Sequence, residues 1–166
     1  TDTQQFKRWF KESKVVDENG RPLLMYHDTR SENGKFWEFD YSKAKREGGL
    51  GFKTLGKGKY FTSKPLTGNE RYGTRILECY LSIQKPVEAT SLMTYHEDVS
   101  KILGREVKNA TRDEIQNELR QKGYDGVILR ADNGEIIFAV TFDSNQIKSA
   151  TDNIGTFDAS NPDIRF

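Results

Sequence analysis

Cysteine is almost missing from this 166-residue chain. Its one thiol, Cys79, has no internal partner, so no disulfide holds the fold and no oxidising compartment is required. Histidine is scarce as well: only His27 and His96 occur, and no Cys/His spacing resembles a metal site. No apolar run approaches the roughly 18 residues of a membrane span, and no basic start followed by an apolar centre marks a signal peptide. An excess of one charge is absent too. The 26 basic and 25 acidic residues leave +1, which supplies no bulk attraction to nucleic acid or membrane. Neither GxxxxGK[ST] nor a helix-opening GxGxxG occurs, so the phosphate-cradling loops are excluded. Cys79 lies in the middle of the apolar run ILECYLSI, a poor setting for a nucleophile.

What is present suits one domain spanning 1–166 with an ordinary core. The chain starts at Thr1 without Met and is expected to be excised from, or part of, a larger protein. Phe6, Trp9 and Phe10 recur at i, i+3 and i+4, predicting a first helix with an aromatic stripe capped by Asp2 or Thr3. VVDENGRPLLMY reads as strand, Asn-Gly turn, strand. Residues 31–58 show no clean period and are expected to form a long loop with one short helix near 41–47. KYFTS predicts a short strand, PLTGNERYG a helical turn, and TRILECYLSI a strand stopped by Lys85-Pro86. YHEDVSKILG and ATRDEIQNELRQKG are helical, the second with Thr111 as cap, Glu114 completing a capping box and Gly123 as stop. YDGVILR and EIIFAVTF form a hairpin through Asp132-Asn133-Gly134. The Asn/Asp/Gly-rich tail from Ile147 onward is expected to wrap the surface. The sum is α+β with mainly antiparallel strands.

Three places attract a functional reading. In PLLMYHDTR an apolar run over residues 23–26 gives way to His27, Asp28 and Thr29. In GKGKYFTS two glycines lead into Tyr60, with Tyr72 twelve residues on. Glu135 opens the last long strand, which is followed by QIKSA. Each has a plain structural explanation: a surfacing strand end, a core tyrosine, a solvated turn carboxylate.

In this order, YHDT, GKGKYFTS and QIKSA resemble the ADP-ribosyltransferase superfamily, in the clade of diphtheria toxin and the poly(ADP-ribose) polymerases. The similarity is greater to the ADP-ribosyltransferase-like domains of phage and mobile-element polyvalent proteins, with their WF..SKVVD.NG.PL..YHGT, G.YF, GYDG and QIKSA..N.GTFD..NPDI. Here these read WFKESKVVDENGRPLLMYHDT, KYFTS, GYDGVI and QIKSATDNIGTFDASNPDIRF, so the likeness runs from Trp9 to Phe166.

The resemblance implies a split β-sandwich of two small, mainly antiparallel sheets with flanking helices, and NAD bound in the cleft between them as co-substrate. It implies cleavage of the nicotinamide–ribose bond and mono-transfer of ADP-ribose to a host protein or nucleic acid. By carry-over, His27 bonds the ribose of the adenosine half and the backbone of Asp28 receives the nicotinamide carboxamide. Thr29 and Ser63 are supporting hydroxyls, and Tyr60 and Tyr72 sandwich the nicotinamide ring. His27, Tyr60 and Glu135 make up the catalytic set, with no metal. The expected setting is a monomeric domain, off the membrane, in the cytoplasm of a bacterial host reached through a phage or mobile element.

Two positions depart from the family. Asp28 stands where glycine is usual. The catalytic glutamate of the related enzymes lies about eight residues before the QIKS glutamine, and eight residues before Gln146 stands Phe138. Glu135 is three residues earlier, an odd offset that turns it to the opposite face of a regular strand unless a bulge intervenes. The carboxylate is therefore either Glu135 or missing. Correspondingly, a non-catalytic binding module of the same fold and an NAD glycohydrolase stand beside the transferase. The acceptor is not legible, because it would be chosen by the loops 31–57 and 64–74.

Overall fold

The computed structural model describes residues 1–29, 37–40, 55–65 and 75–166. The expected short helix near 41–47, most of PLTGNERYG, and Tyr72 lie outside these residues. The order of elements is α1 (Gln4–Phe10), β1 (Met25–Thr29), β2 (Lys59–Thr62), β3 (Arg75–Leu81), β4 (Pro86–Ala89), α2 (Tyr95–Leu103), α3 (Arg112–Gln121), β5 (Gly126–Arg130), β6 (Ile136–Thr141) and β7 (Ile147–Ser149). The class is α+β, as expected. The strands form one seven-stranded sheet in the order β4-β5-β6-β2-β1-β3-β7 rather than two separate ones. All pairings are antiparallel except β4 with β5, whose parallel partnership requires the crossover that α2 and α3 supply.

The sheet nonetheless has a seam. β1 shares five register pairs with β3, and β2 shares four with β6, but β1 and β2 share only Tyr26–Thr62. Each face carries its own core. One includes Met25, Phe61, Leu77, Cys79 and Ala139, closed by Val15, Phe39 and Ile164 from outside the strands. The other puts Val87, Val127, Leu129 and Val140 against Tyr95, Val99, Ile115 and Leu119 of the two long helices.

Local chemistry accounts for most boundaries. Thr111 accepts from the Glu114 amide while the Glu114 carboxylate accepts from the Thr111 amide, and Gly123 follows at φ +84°. Three expectations shift. The first hairpin shrinks to a bridge between Val16 and Pro22 around an Asp17 carboxylate that accepts from the amides of Asn19 and Arg21. Its second strand starts two residues late, at Met25, and runs on through His27, Asp28 and Thr29 because β3 pairs with each of them. β4, begun by a proline that reads as a strand breaker, exists because β5 recruits it.

The tail does more than wrap. Ile164 is fully buried, its amide donates to the Trp37 carbonyl and its carbonyl accepts from Ser149. Beneath it the buried Lys148 ammonium donates to the carbonyls of Asn161 (2.8 Å) and Asp163 (3.3 Å). Gln146 knots three further segments. Its Oε1 accepts from the amides of Phe142 and Asp143, and its Nε2 donates to the carbonyls of Ser82 and Asp125. Replacing it, as in Gln146→Ala, leaves those groups short of partners. Urea unfolding should show a loss of about 2–3 kcal/mol, and a loss near zero would mean the knot is redundant.

Candidate functional site

The site is built at the seam. Once β1 leaves β2 after Tyr26, the next inward side chain, His27, reaches across, and its Nδ1 lies 2.7 Å from the Tyr60 carbonyl oxygen. A carbonyl only accepts, so Nδ1 carries the hydrogen of a neutral ring and Nε2 presents a lone pair. Nε2 has no partner among the described residues. The ring is gripped by Phe39 and Phe61, with centroids at 5.0 and 5.2 Å. Burial pushes the imidazole down to about 4, with the Tyr60 carbonyl opposing and the Lys59 charge adding to the fall. His27 is therefore a fixed hydrogen-bond acceptor at neutral pH and does not serve as a general acid.

Tyr60 is set from the neighbouring strand. Its hydroxyl donates to the Gly56 carbonyl at 2.6 Å, and burial pushes the phenol far up, so it stays protonated. The two glycines before it have steric reasons. A Cβ on Gly56 would come 2.6 Å from the Tyr95 hydroxyl, and one on Gly58, at φ +151°, would come 2.4 Å from the Thr141 carbonyl. They let the loop press close to α2 and β6.

Strand alternation distributes the remaining candidates. Phe61 belongs to the first core with His27 against it, whereas Tyr60 packs on the second. Tyr26 pairs with Thr62, so Tyr26 and Asp28 lie on the Tyr60 face and His27 on the other. Asp28 and Thr29 are half-buried and continue β1 opposite Ile76 and Arg75. Among described residues other than glycine, positive φ occurs at Lys11 and Phe157 only. The backbone at residue 28 thus has no need of glycine, and what Asp28 changes is space and charge.

Phe138 pairs with Thr62 and packs on the second core. Between Leu129 and Arg130 the β5–β6 register slips, inserting Ile137 as a bulge. Ile136 consequently joins the first core although Phe138 is on the second. The bulge cancels the odd offset of Glu135. However, Tyr60 pairs with Val140, five residues further along, which puts Glu135 roughly 15 Å down the strand. Glu135 is exposed and lines a cleft of about 610 Å³ with Ser63, Lys64, Arg21 and Arg130. Ser63 is tied to the bulge by its amide, which donates to Ile137. The structure therefore brings the His27 ring to the backbone carbonyl of Tyr60, whose own ring lies on the opposite face, and Glu135 to Ser63, as two separate pairs. A second cleft, of about 600 Å³, lies beside Phe39 and is walled by Lys57, Gln116, Arg120 and Asp143.

Among the described residues no group of three or more His, Cys, Asp or Glu side chains is arranged to hold a metal, and no helix is long and apolar enough to cross a membrane. Sequence reasoning missed the structural work of two motifs. In GYDG, the Asp125 carboxylate accepts from the amides of Gln84 and Lys85, and a Cβ on Gly126 would sit 2.8 Å from both Ile83 and the Val140 carbonyl. In QIKSA, Gln146 and Lys148 fasten the chain as described above. The capping box of Asp143 and Gln146 is a local signal for half of the Gln146 role, whereas the partners of Asp125, Lys148 and the Gln146 Nε2 are remote.

A family model described as ADP-Ribosyltransferase in polyvalent proteins matches residues 17–157. No curated protein and no solved structure matches the chain.

The depressed His27 ionisation has a measurable sign. Between pH 6.5 and about 4 the unfolded chain takes up a proton that the folded ring refuses. Stability should be full above 6.5 and fall as pH drops, with a slope of up to about 1.4 kcal/mol per pH unit. Urea titrations between pH 7 and 5 should show this slope in the natural chain and a flatter one in His27→Gln. Parallel curves would contradict the assignment.

Proposed function

The chain belongs to the ADP-ribosyltransferases of polyvalent proteins, and from that membership we propose that it is an NAD-dependent mono-ADP-ribosyltransferase acting on a host protein or nucleic acid. The observation that carries the reading is the locked His27 tautomer at the seam, 2.7 Å from the Tyr60 carbonyl. A neutral imidazole whose Nε2 can only accept is matched to a hydroxyl donor such as a ribose of the dinucleotide. Its Phe39–Phe61 grip means that little orientation remains to be lost on binding.

In this reading the adenosine ribose hydroxyl donates to His27, and the carboxamide of nicotinamide meets the backbone of Asp28. Thr29 and Ser63 supply hydroxyls. Tyr60, its hydroxyl already held by Gly56, offers a ring face to nicotinamide, with Tyr72 on the other side. The bond between ribose C1 and the nicotinamide nitrogen breaks, its electron pair leaving with neutral nicotinamide. A lone pair on the acceptor forms the new bond to C1, and the acceptor gives up its proton. The transition state is electron-poor at the ribose, so preorganised negative charge accelerates it more than a nucleophile on the enzyme would.

A second reading has its own observation. Phe138 occupies the place of the usual glutamate and Glu135 sits far along the strand, which favours a module that binds NAD or ADP-ribose without turnover. Incubation with NAD and bacterial lysate separates them. The transferase releases nicotinamide and labels an acceptor, and His27→Ala and Tyr60→Ala each cut labelling at least about 100-fold. Calorimetric NAD binding with no release in any lysate would establish the module. Release that needs no acceptor would make the domain a glycohydrolase. Undiminished labelling in both variants would sink the transferase site as drawn.

A further inference from the structure

On the sheet face that carries Tyr60, two half-buried side chains, Tyr26 and Glu78, have no hydrogen-bond, ion-pair or ring partner among the described residues. They are direct cross-strand partners on β1 and β3. The same row passes on to Thr62 of β2 and Phe138 of β6, so Glu78 shares face and level with the position that lacks an acid, three strands and roughly 14 Å across the sheet. Asp28 pairs with Ile76 and lies diagonal to Glu78, roughly 7–8 Å away between Cα atoms. Along β3 the carboxylate is flanked on its own face by Ile76 and Tyr80.

We propose that Glu78 is the carboxylate of the reaction, moved from the usual strand to β3. The assignment rests on the transferase reading above. With the carboxamide at the backbone of Asp28, the attached ribose falls within reach of a glutamate side chain on the adjacent strand. Glu78 accepts a hydrogen bond from the ribose hydroxyl next to C1 and sets its negative charge against the positive charge that develops as the nicotinamide bond breaks. It forms no covalent bond, and the electron pair leaves with nicotinamide as before. The unpartnered Tyr26 ring beside it forms the floor on which the ribose rests.

The test is Glu78→Gln in the full chain, which keeps size and hydrogen bonding and removes only the charge. Nicotinamide release should fall about 100- to 1,000-fold in kcat, with the NAD dissociation constant by calorimetry within about threefold of the natural chain and an unchanged urea midpoint. Glu78→Asp should recover part of the rate. A Glu78→Gln enzyme with undiminished kcat overturns the assignment alone, and so does a variant whose NAD affinity falls in step with its rate. If the natural chain binds NAD but never releases nicotinamide, the transferase reading falls and takes this assignment with it.

Discussion

The hydrogen bond from His27 Nδ1 to the Tyr60 carbonyl is the constraint on which the candidate site depends. β1 stays paired with β3 to its end but keeps a single register pair with β2, so the sheet is laddered on both sides of one weak line. At that line a side chain takes over from the backbone as the cross-strand connector. A protonated imidazole would satisfy the same carbonyl but lose the acceptor at Nε2. Burial between Phe39 and Phe61 keeps the ring neutral and so preserves both halves of its function.

Much of what makes this chain resemble its family turns out to be scaffold. Asp17 ties the Asn-Gly turn, Asp125 and Gly126 fit the GYDG segment against β3 and β6, Gln146 joins three segments, and Lys148 holds the NPDI tail. The Trp9 indole donates to the Asn145 carbonyl, fastening α1 to the same corner. Apart from Asp17, whose partners lie two and four residues on, each polar side chain here bonds backbone far away in sequence. A buried backbone group left unpaired costs as much as a lost hydrogen bond, which is why such residues specify this fold rather than merely a fold of this class.

Carboxylates are where family pattern and geometry part company. The bulge at Ile137 undoes the parity argument against Glu135 yet leaves it beside Ser63, well along the strand from Tyr60. Phe138 keeps the usual place and packs on the second core. Glu78 places a carboxylate on the Tyr60 face, on the far side of the seam from β6. One sheet can supply a charge to a given point of its face from several strands, because cross-strand neighbours are closer than residues two apart on one strand.

By itself the sequence determined the α+β class, both long helices, the caps of the second, the β5–β6 hairpin and the family, since caps, turns and period-two alternation are written in neighbouring residues. Its motifs also singled out His27 and Tyr60. It did not tell that β1 begins at Met25, that a proline opens β4, or that the tail returns to bury Ile164, because each follows from pairing with a distant strand or loop. Nor did it show a single sheet with a seam where two sheets are usual. Only the tertiary structure decided which nitrogen of His27 accepts, on which face each candidate lies, and that Tyr26 and Glu78 stand together. These depend on register, and a register is a relation between strands that no one strand contains.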